Sequence, residues 1–417
     1  MKLPYKKIGI FLSLTILAGC QTNLAVYERP LIENKVLSSS PTDTSSSKQY
    51  PYSVASLTPQ HTPEIKSTEA GLWMSVEKAE RKAQTAGNRI TDKKLNDYLR
   101  SIICRLAERH CMNMRVYVMR VPMFNASMYP NGMIHVWTGL LLRAQNEAQL
   151  AAVLGHEIGH YLRRHSLQRF KSILEASNSL IFAQMALAVA GVPAVGDIMA
   201  LATAGNLAAF SRDHEREADG YGLLFLAKGG YDPKEASKIW GRVIREKKAD
   251  KKHSTPSLFT GSHPQSEERM RILDELAGRV QLTRPVTTGK DAYEAIILPM
   301  RASFLRDELD QRNFDRTDEL LNMLIEDGVG LSELHFFKGE MYRLRKKKGD
   351  LEKAMNSYQM SLNLGNVPPA LFRQIALVQR KLGKKKEATE SLRKYLEANP
   401  TAEDAEIIKQ LLEGSKL

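Results

Sequence analysis

The stretch LGHEIGHYLRRH, residues 154–165, constrains this chain more than any other. Asn146 is a good helix N-cap with Glu147 in the first turn, and Leu150, Val153, Leu154, Ile158, Tyr161 and Leu162 recur at helical spacing behind it. That pattern predicts an amphipathic helix with its apolar stripe on the core. Residues four apart on a helix project one above the other, so His156 and His160 can offer two imidazole nitrogens to one metal ion. Glu157 then points towards the neighbouring open position, where a carboxylate can take a proton from an activated water. Gly155 and Gly159 are expected to leave room beside the ion for an extended backbone. An ordinary helix that happens to spell this pattern is the alternative, and a third ligand decides between them.

The segment SRDHEREADGYG, residues 211–222, supplies that ligand. Glu215 and Asp219 are again four apart on a predicted helix. Glu215 would complete a two-histidine, one-glutamate set for a single zinc ion, leaving the fourth position for water. Asp219, one turn on, could accept a hydrogen bond from a ligand histidine and fix its tautomer. A charged helix face, with Arg212 and Arg216 pairing to acids, is the plainer reading of the segment taken alone. His165 follows His160 by five residues, about 140° further round a continuous helix, and is expected to miss the ion.

Together, HEIGH and EREAD resemble the gluzincin metallopeptidases of the BepA, LoiP, HtpX and CAAX prenyl protease group. The likeness spans about residues 74 to 275 and includes NASMYPNGMIHVWTGLL before the helix and GGYDP after the third ligand. It implies a zinc endopeptidase with one Zn2+ per chain, held by His156, His160 and Glu215, with Glu157 as general base and Asp219 in support. By the same resemblance Gly132 to Trp137 would be the edge strand that pairs with an extended substrate peptide. His263, in GSHPQSEERM, matches a histidine-proline element that resembles a switch: it would occupy the fourth zinc position at rest and stabilise an oxyanion once swung away.

The last third is predicted helical and repeats. Gly349 and Gly383 lie 34 residues apart, as do Ala354 and Ala388, Tyr358 and Leu392, Phe337 and Leu371, and Met341 and Ile375. A 34-residue helix-turn-helix period is the tetratricopeptide signature, and a plain helical bundle is the alternative. The expected fold is therefore mainly α: an α+β peptidase domain with a small sheet and a zinc-bearing helix over residues 71–280, then an α-helical tetratricopeptide solenoid over 290–417. With those repeats the chain is most like the BepA-type periplasmic peptidases.

The first residues, MKLPYKKIGIFLSLTILAGCQTN, pair a basic start with an apolar run too short to span a bilayer. Leu17-Ala18-Gly19-Cys20 resembles a bacterial lipobox, so residues 1–19 are expected to be a signal peptide and Cys20 the lipidated residue. Gln21 after it resembles outer-membrane sorting, which places the chain in the periplasm, lipid-anchored to the outer membrane. Residues 20–70, rich in Ser, Thr and Pro, are expected to be a disordered tether. Export would favour a disulfide between Cys104 and Cys111, and two buried thiols are the other reading. Ala176 to Gly196 holds no charged residue for 21 positions, which suits a broken helical hairpin or a membrane contact.

Net charge is +13, or +10 once Lys2, Lys6 and Lys7 leave with the signal. That suits acidic partners or an anionic membrane surface, and no nucleic-acid-binding motif accompanies it. The expected function is degradation of misfolded or misassembled outer-membrane proteins. The repeats would dock on the machinery that assembles β-barrels. A chaperone or assembly scaffold, with the zinc site structural or plugged by His263, is the alternative.

Overall fold

The computed structural model describes residues 57–176, 210–250, 263 and 267–414. The signal peptide with Cys20, the tether up to residue 56 and the uncharged stretch beyond Ala176 lie outside the described residues. No helix among the described residues is long and apolar enough to cross a membrane.

The chain between 68 and 107 forms two helices. Thr68–Gln84 ends at Thr85, and a new helix, Lys93–Ala107, starts when the Asp92 side chain accepts from the Leu95 amide. Gly87 and Asn88 lie between them, and Arg89–Ile90 forms the short strand β1. Cys104 and Cys111 are joined by a disulfide, Cα–Cα 4.8 Å, which ties the end of the second helix to the turn that follows. Packing starts before residue 70. Leu57 is buried and its amide donates to the Leu162 carbonyl, so the chain touches the folded body from residue 57.

Three more strands complete one sheet: β2 (Arg115–Met119), β3 (Ala126–Met128) and β4 (Met133–Trp137), in the order β1-β2-β4-β3. β4 runs parallel to β2 and antiparallel to β3, so both its edges are occupied. The expectation that Gly132–Trp137 is the edge strand is therefore corrected: the edge is β3. Gly132 makes the tight return between them at φ +86°, where a Cβ would fall 2.1 Å from the Asn113 carbonyl oxygen.

The motif helix spans Glu147–Leu162, and the Asn146 side chain caps it by accepting from the Gln149 amide. All of its residues are buried, so the apolar stripe marks one of several packed faces. Behind it lies the helix Arg212–Gly229, capped by the Ser211 hydroxyl. The contact is close because it is built of small residues. A Cβ at Gly159 would stand 3.0 Å from the Ala218 carbonyl, and one at Gly222 would stand 3.2 Å from the His156 nitrogen. The glycines of the motif thus make room for the second ligand helix rather than for substrate.

Beyond residue 280 seven helices alternate in direction: Lys290–Asp310, Phe314–Glu326, Leu331–Arg345, Asp350–Asn363, Leu371–Lys381, Lys385–Ala398 and Ala405–Gly414. The residues paired by the 34-residue offset play equal parts. Ala354 and Ala388 are buried where helices touch, Phe337 and Leu371 are buried, and Gly349 and Gly383 stand at φ +81° and +78°. These helices do not form a separate body. One apolar core runs from Leu95 through Leu154 and Phe304 to Val378. Tyr293 donates its hydroxyl to the Leu141 carbonyl, Arg120 pairs with Asp307 at 2.7 Å, and Arg242 with Asp327 at 2.9 Å.

Candidate metal centre

Four buried side chains, His156, His160, Glu215 and His263, converge on one point. His156 Nε2 and His160 Nε2 are 3.0 Å apart, and His160 Nε2 and Glu215 Oε1 3.4 Å. His263 Nδ1 lies 3.2 Å from His156 Nε2 and 2.9 Å from Glu215 Oε1. Donors held about 2.0–2.1 Å from a tetrahedral ion stand about 3.3–3.4 Å from one another, so these separations fit a zinc-sized cation.

The tautomers fit as well. The Asp219 carboxylate accepts from His156 Nδ1–H at 2.9 Å, which leaves the Nε2 lone pair facing inward. Burial would raise the Asp219 pKa, but the Arg269 guanidinium, with Nε and Nη2 each 2.7 Å from its oxygens, holds it below the usual carboxylate range. For His160 the support is a relay. Glu217 accepts from His165 Nε2–H at 2.9 Å, and His165 Nδ1 then accepts from His160 Nδ1–H at 2.8 Å. The His160 Nε2 lone pair therefore also faces inward. Two imidazole lone pairs 3.0 Å apart in a buried site repel unless a cation stands between them.

His165 was expected to miss the centre, and it takes no place among the four converging donors. It reaches the ligand His160 instead, because the helix does not continue: Arg163 caps it, Arg164 adopts φ +56°, and a new helix starts at His165. Arg269 is a second residue that local reading misses. It sits on another helix, Glu267–Arg279, bonds both oxygens of Asp219, and places Nη1 2.7 Å from Glu215 Oε2. Its guanidinium also lies over the Trp240 ring, 5.5 Å from the centroid.

Glu157 faces the same point from the side of the sheet. Its Oε2 accepts from the Met128 amide of β3 at 3.1 Å, and its buried Oε1 accepts no hydrogen bond from the described residues, with His263 Nε2 3.5 Å away. Burial raises its pKa above the ordinary range, which suits a group that must take up a proton. Because the Met128 amide points at Glu157, the outer edge of β3 looks onto the metal centre. The relay gives a test: Glu217→Gln should weaken zinc binding by about 10–100-fold with the fold unchanged. Arg163 Nε also donates to Glu217, at 2.9 Å, so a glutamine would keep its oxygen there and turn its amide on His165. That reverses the relay and puts a proton on His160 Nε2. Zinc affinity measured against a competing chelator, beside a circular dichroism spectrum, reads the result.

Two histidines and a glutamate on two helices, with the Glu157 carboxylate beside them, form a gluzincin-type donor set. More particularly, residues 91–277 match the family model for Peptidase family M48, and residues 343–413 match one for the Tetratricopeptide repeat. The chain is similar to the Mitochondrial metalloendopeptidase OMA1 of Schizosaccharomyces pombe, at 32% identity over 190 residues, covering 45% of this chain and 53% of that protein. It is also similar to the Beta-barrel assembly-enhancing protease of Escherichia coli, at 26% identity over 220 residues, covering 49% and 43%. The chain spans about half the length of these curated relatives.

Proposed function

We propose that this chain is a zinc-dependent endopeptidase of the bacterial cell envelope. The observation that carries the reading is the convergence of His156, His160 and Glu215 on one buried point. Glu157 faces that point with one carboxylate oxygen that accepts no hydrogen bond from the described residues. A structural zinc site needs no such free carboxylate. When bound, zinc supplies a Lewis acid that polarises the scissile carbonyl and makes water more acidic. The chain's own residues do the rest. The outer edge of β3 takes an extended peptide as a further strand, which gives affinity with little demand on sequence. Glu157 removes a proton from water at Oε1 and returns it to the leaving amine. Asp219 and the His165–Glu217 pair keep the ligand lone pairs aimed inward, and Arg269 holds the two carboxylates of the second helix in place.

His263 fills the fourth corner of the donor set, its Nε2 3.5 Å from Glu157 Oε1. In that position it excludes the attacking water, and the arrangement supports a resting state that opens when His263 swings away. The same arrangement gives the scaffold reading its footing, since a plugged site could serve assembly without cleavage. The name of the Escherichia coli relative supports substrates among misassembled outer-membrane β-barrel proteins, with the repeats docking on the assembly machinery. The lipobox at Cys20 supports a periplasmic location, lipid-anchored to the outer membrane, and the Cys104–Cys111 disulfide suits that oxidising compartment.

The test is the metal content and casein cleavage of the chain from Gln21 onward, with and without a chelator, beside His263→Ala. One zinc per chain and chelator-sensitive cleavage that rises in His263→Ala are expected. Zinc without cleavage in either form would favour the scaffold, and a chain that binds no zinc would end the peptidase reading.

A further inference from the structure

The helices after residue 290 alternate in direction, so their connections fall at two ends of the layer. The turns 311–313, 346–349 and 382–384 share one end, and the connections 327–330, 364–370 and 399–404 share the other. Two contacts fix the second end: the Ser332 hydroxyl donates to the Ser361 carbonyl, and the Asn399 side chain donates to the Pro369 carbonyl. The charge is divided just as sharply. The connections of the second end contain no lysine or arginine and hold Asp327, Glu403 and Asp404. The turns of the first end hold Arg312, Lys346, Lys347, Lys348 and Lys384, flanked by Arg380, Lys381, Lys385 and Lys386, and all nine are exposed. Of the nine, only Lys347 has an ion pair assigned, with Asp315 at 3.7 Å. Asp310, Asp350, Glu352 and Glu387 are the other acids at this end.

Complementing helix dipoles accounts for part of this, since Arg380 and Lys381 close a helix at its C-terminus. It does not account for Lys384, Lys385 and Lys386. They stand at the N-cap and in the first turn of Lys385–Ala398, where the dipole disfavours cations and where no side chain caps the helix. Three cations in a place where the fold disfavours them point to an external use.

We propose that this end of the repeat layer binds an anionic lipid surface. Two features favour a membrane over an acidic protein segment. Most of the cations are lysines, which act as flexible point charges, whereas bidentate pairing with carboxylates favours arginine. No exposed large hydrophobic side chain lies within the three turns to anchor a peptide. Lysines clustered at a surface gain attraction to anionic headgroups additively, and that attraction weakens with salt. The inference goes beyond the peptidase reading and does not depend on it.

The experiment is co-sedimentation of the chain from Gln21 onward, which carries no lipid, with vesicles of phosphatidylcholine alone or mixed with phosphatidylglycerol. The unaltered chain should bind only the mixed vesicles, and salt should release it. Lys384→Gln, Lys385→Gln and Lys386→Gln together should weaken binding by about a hundredfold. The same triple change should leave the melting temperature equal or higher, because it relieves the helix N-terminus. Lys78→Gln, Lys94→Gln and Lys228→Gln together remove equal charge elsewhere on exposed positions and should change binding little. Equal weakening by both triple variants would reduce the effect to net charge and overturn the proposal. So would no binding to the mixed vesicles, or capture by soluble polyglutamate but not by lipid. A lowered melting temperature in the Lys384–Lys386 variant would assign those lysines to the fold instead.

Discussion

Glu157→Gln should lower peptide hydrolysis by about 10²–10⁴-fold and leave the metal in place. The geometry separates the two effects. Glu157 is not among the converging donors His156, His160, Glu215 and His263, so an amide there removes no ligand. Glutamine has the same shape and can still accept from the Met128 amide through its oxygen, which keeps β3 against the motif helix. What it cannot do is take up a proton at Oε1, the atom that accepts no hydrogen bond from the described residues. Burial already disfavours the Glu157 carboxylate, so a neutral amide should leave the melting temperature of the metal-free chain unchanged or slightly higher. Glu215→Gln is the contrast, since it alters a donor and should lose zinc and cleavage together. Zinc stoichiometry and casein turnover on the two variants make the comparison. Cleavage by Glu157→Gln at the unaltered rate would remove the general base from the mechanism.

That these donor side chains could converge was legible in the sequence because their spacing obeys local rules. His156 and His160, then Glu215 and Asp219, are each four apart on a helix, and that spacing survives any tertiary arrangement. The repeats were legible for a similar reason, since equal positions such as Ala354 and Ala388 do equal work in stacked units. What stayed hidden depends on breaks and distant partners. His165 supports His160 only because Arg164 turns left-handed, and an arginine carries little signal for that conformation. Arg269 reaches Asp219 across 50 residues of chain, with no periodicity to announce it. Gly155 and Gly159 were read as space for substrate because a sequence does not say which neighbour a small residue admits. β3 is three residues long, too short for alternation to reveal it or to show that it, not β4, is the edge.

The boundary between peptidase and repeats was the least legible feature, and Arg143 explains why. It is 2% exposed, and it donates to Glu246 at 2.5 and 2.7 Å and to Glu308 at 2.9 Å. Glu308 is fully buried and also accepts from Arg316 at 2.9 Å. Each of these residues, read along the chain, looks like an ordinary solvated charge on its own helix. Assembled, two cations and two anions lock the helix after β4 and the helix Glu235–Ala249 to the helices at 290–326. Arg143→Met should therefore destabilise the whole chain by about 3–5 kcal/mol, because two buried carboxylates lose their shared partner. Adding Glu246→Gln and Glu308→Gln should recover much of that loss, since the cost lies in uncompensated charge rather than in missing contacts. The pH dependence has a definite sign. Burial alone would raise the Glu308 pKa, but Arg143 and Arg316 hold it below the ordinary range, so its contribution is present at neutral pH and fades as pH falls through that lowered value. In Arg143→Met the pull of that arginine is gone, and the buried Glu308 carboxylate gains relief by protonation. The difference in denaturant midpoint between the two proteins should accordingly be widest near neutral pH and narrow on acidification. A gap that stays constant with pH would mean that Arg143 acts through packing alone.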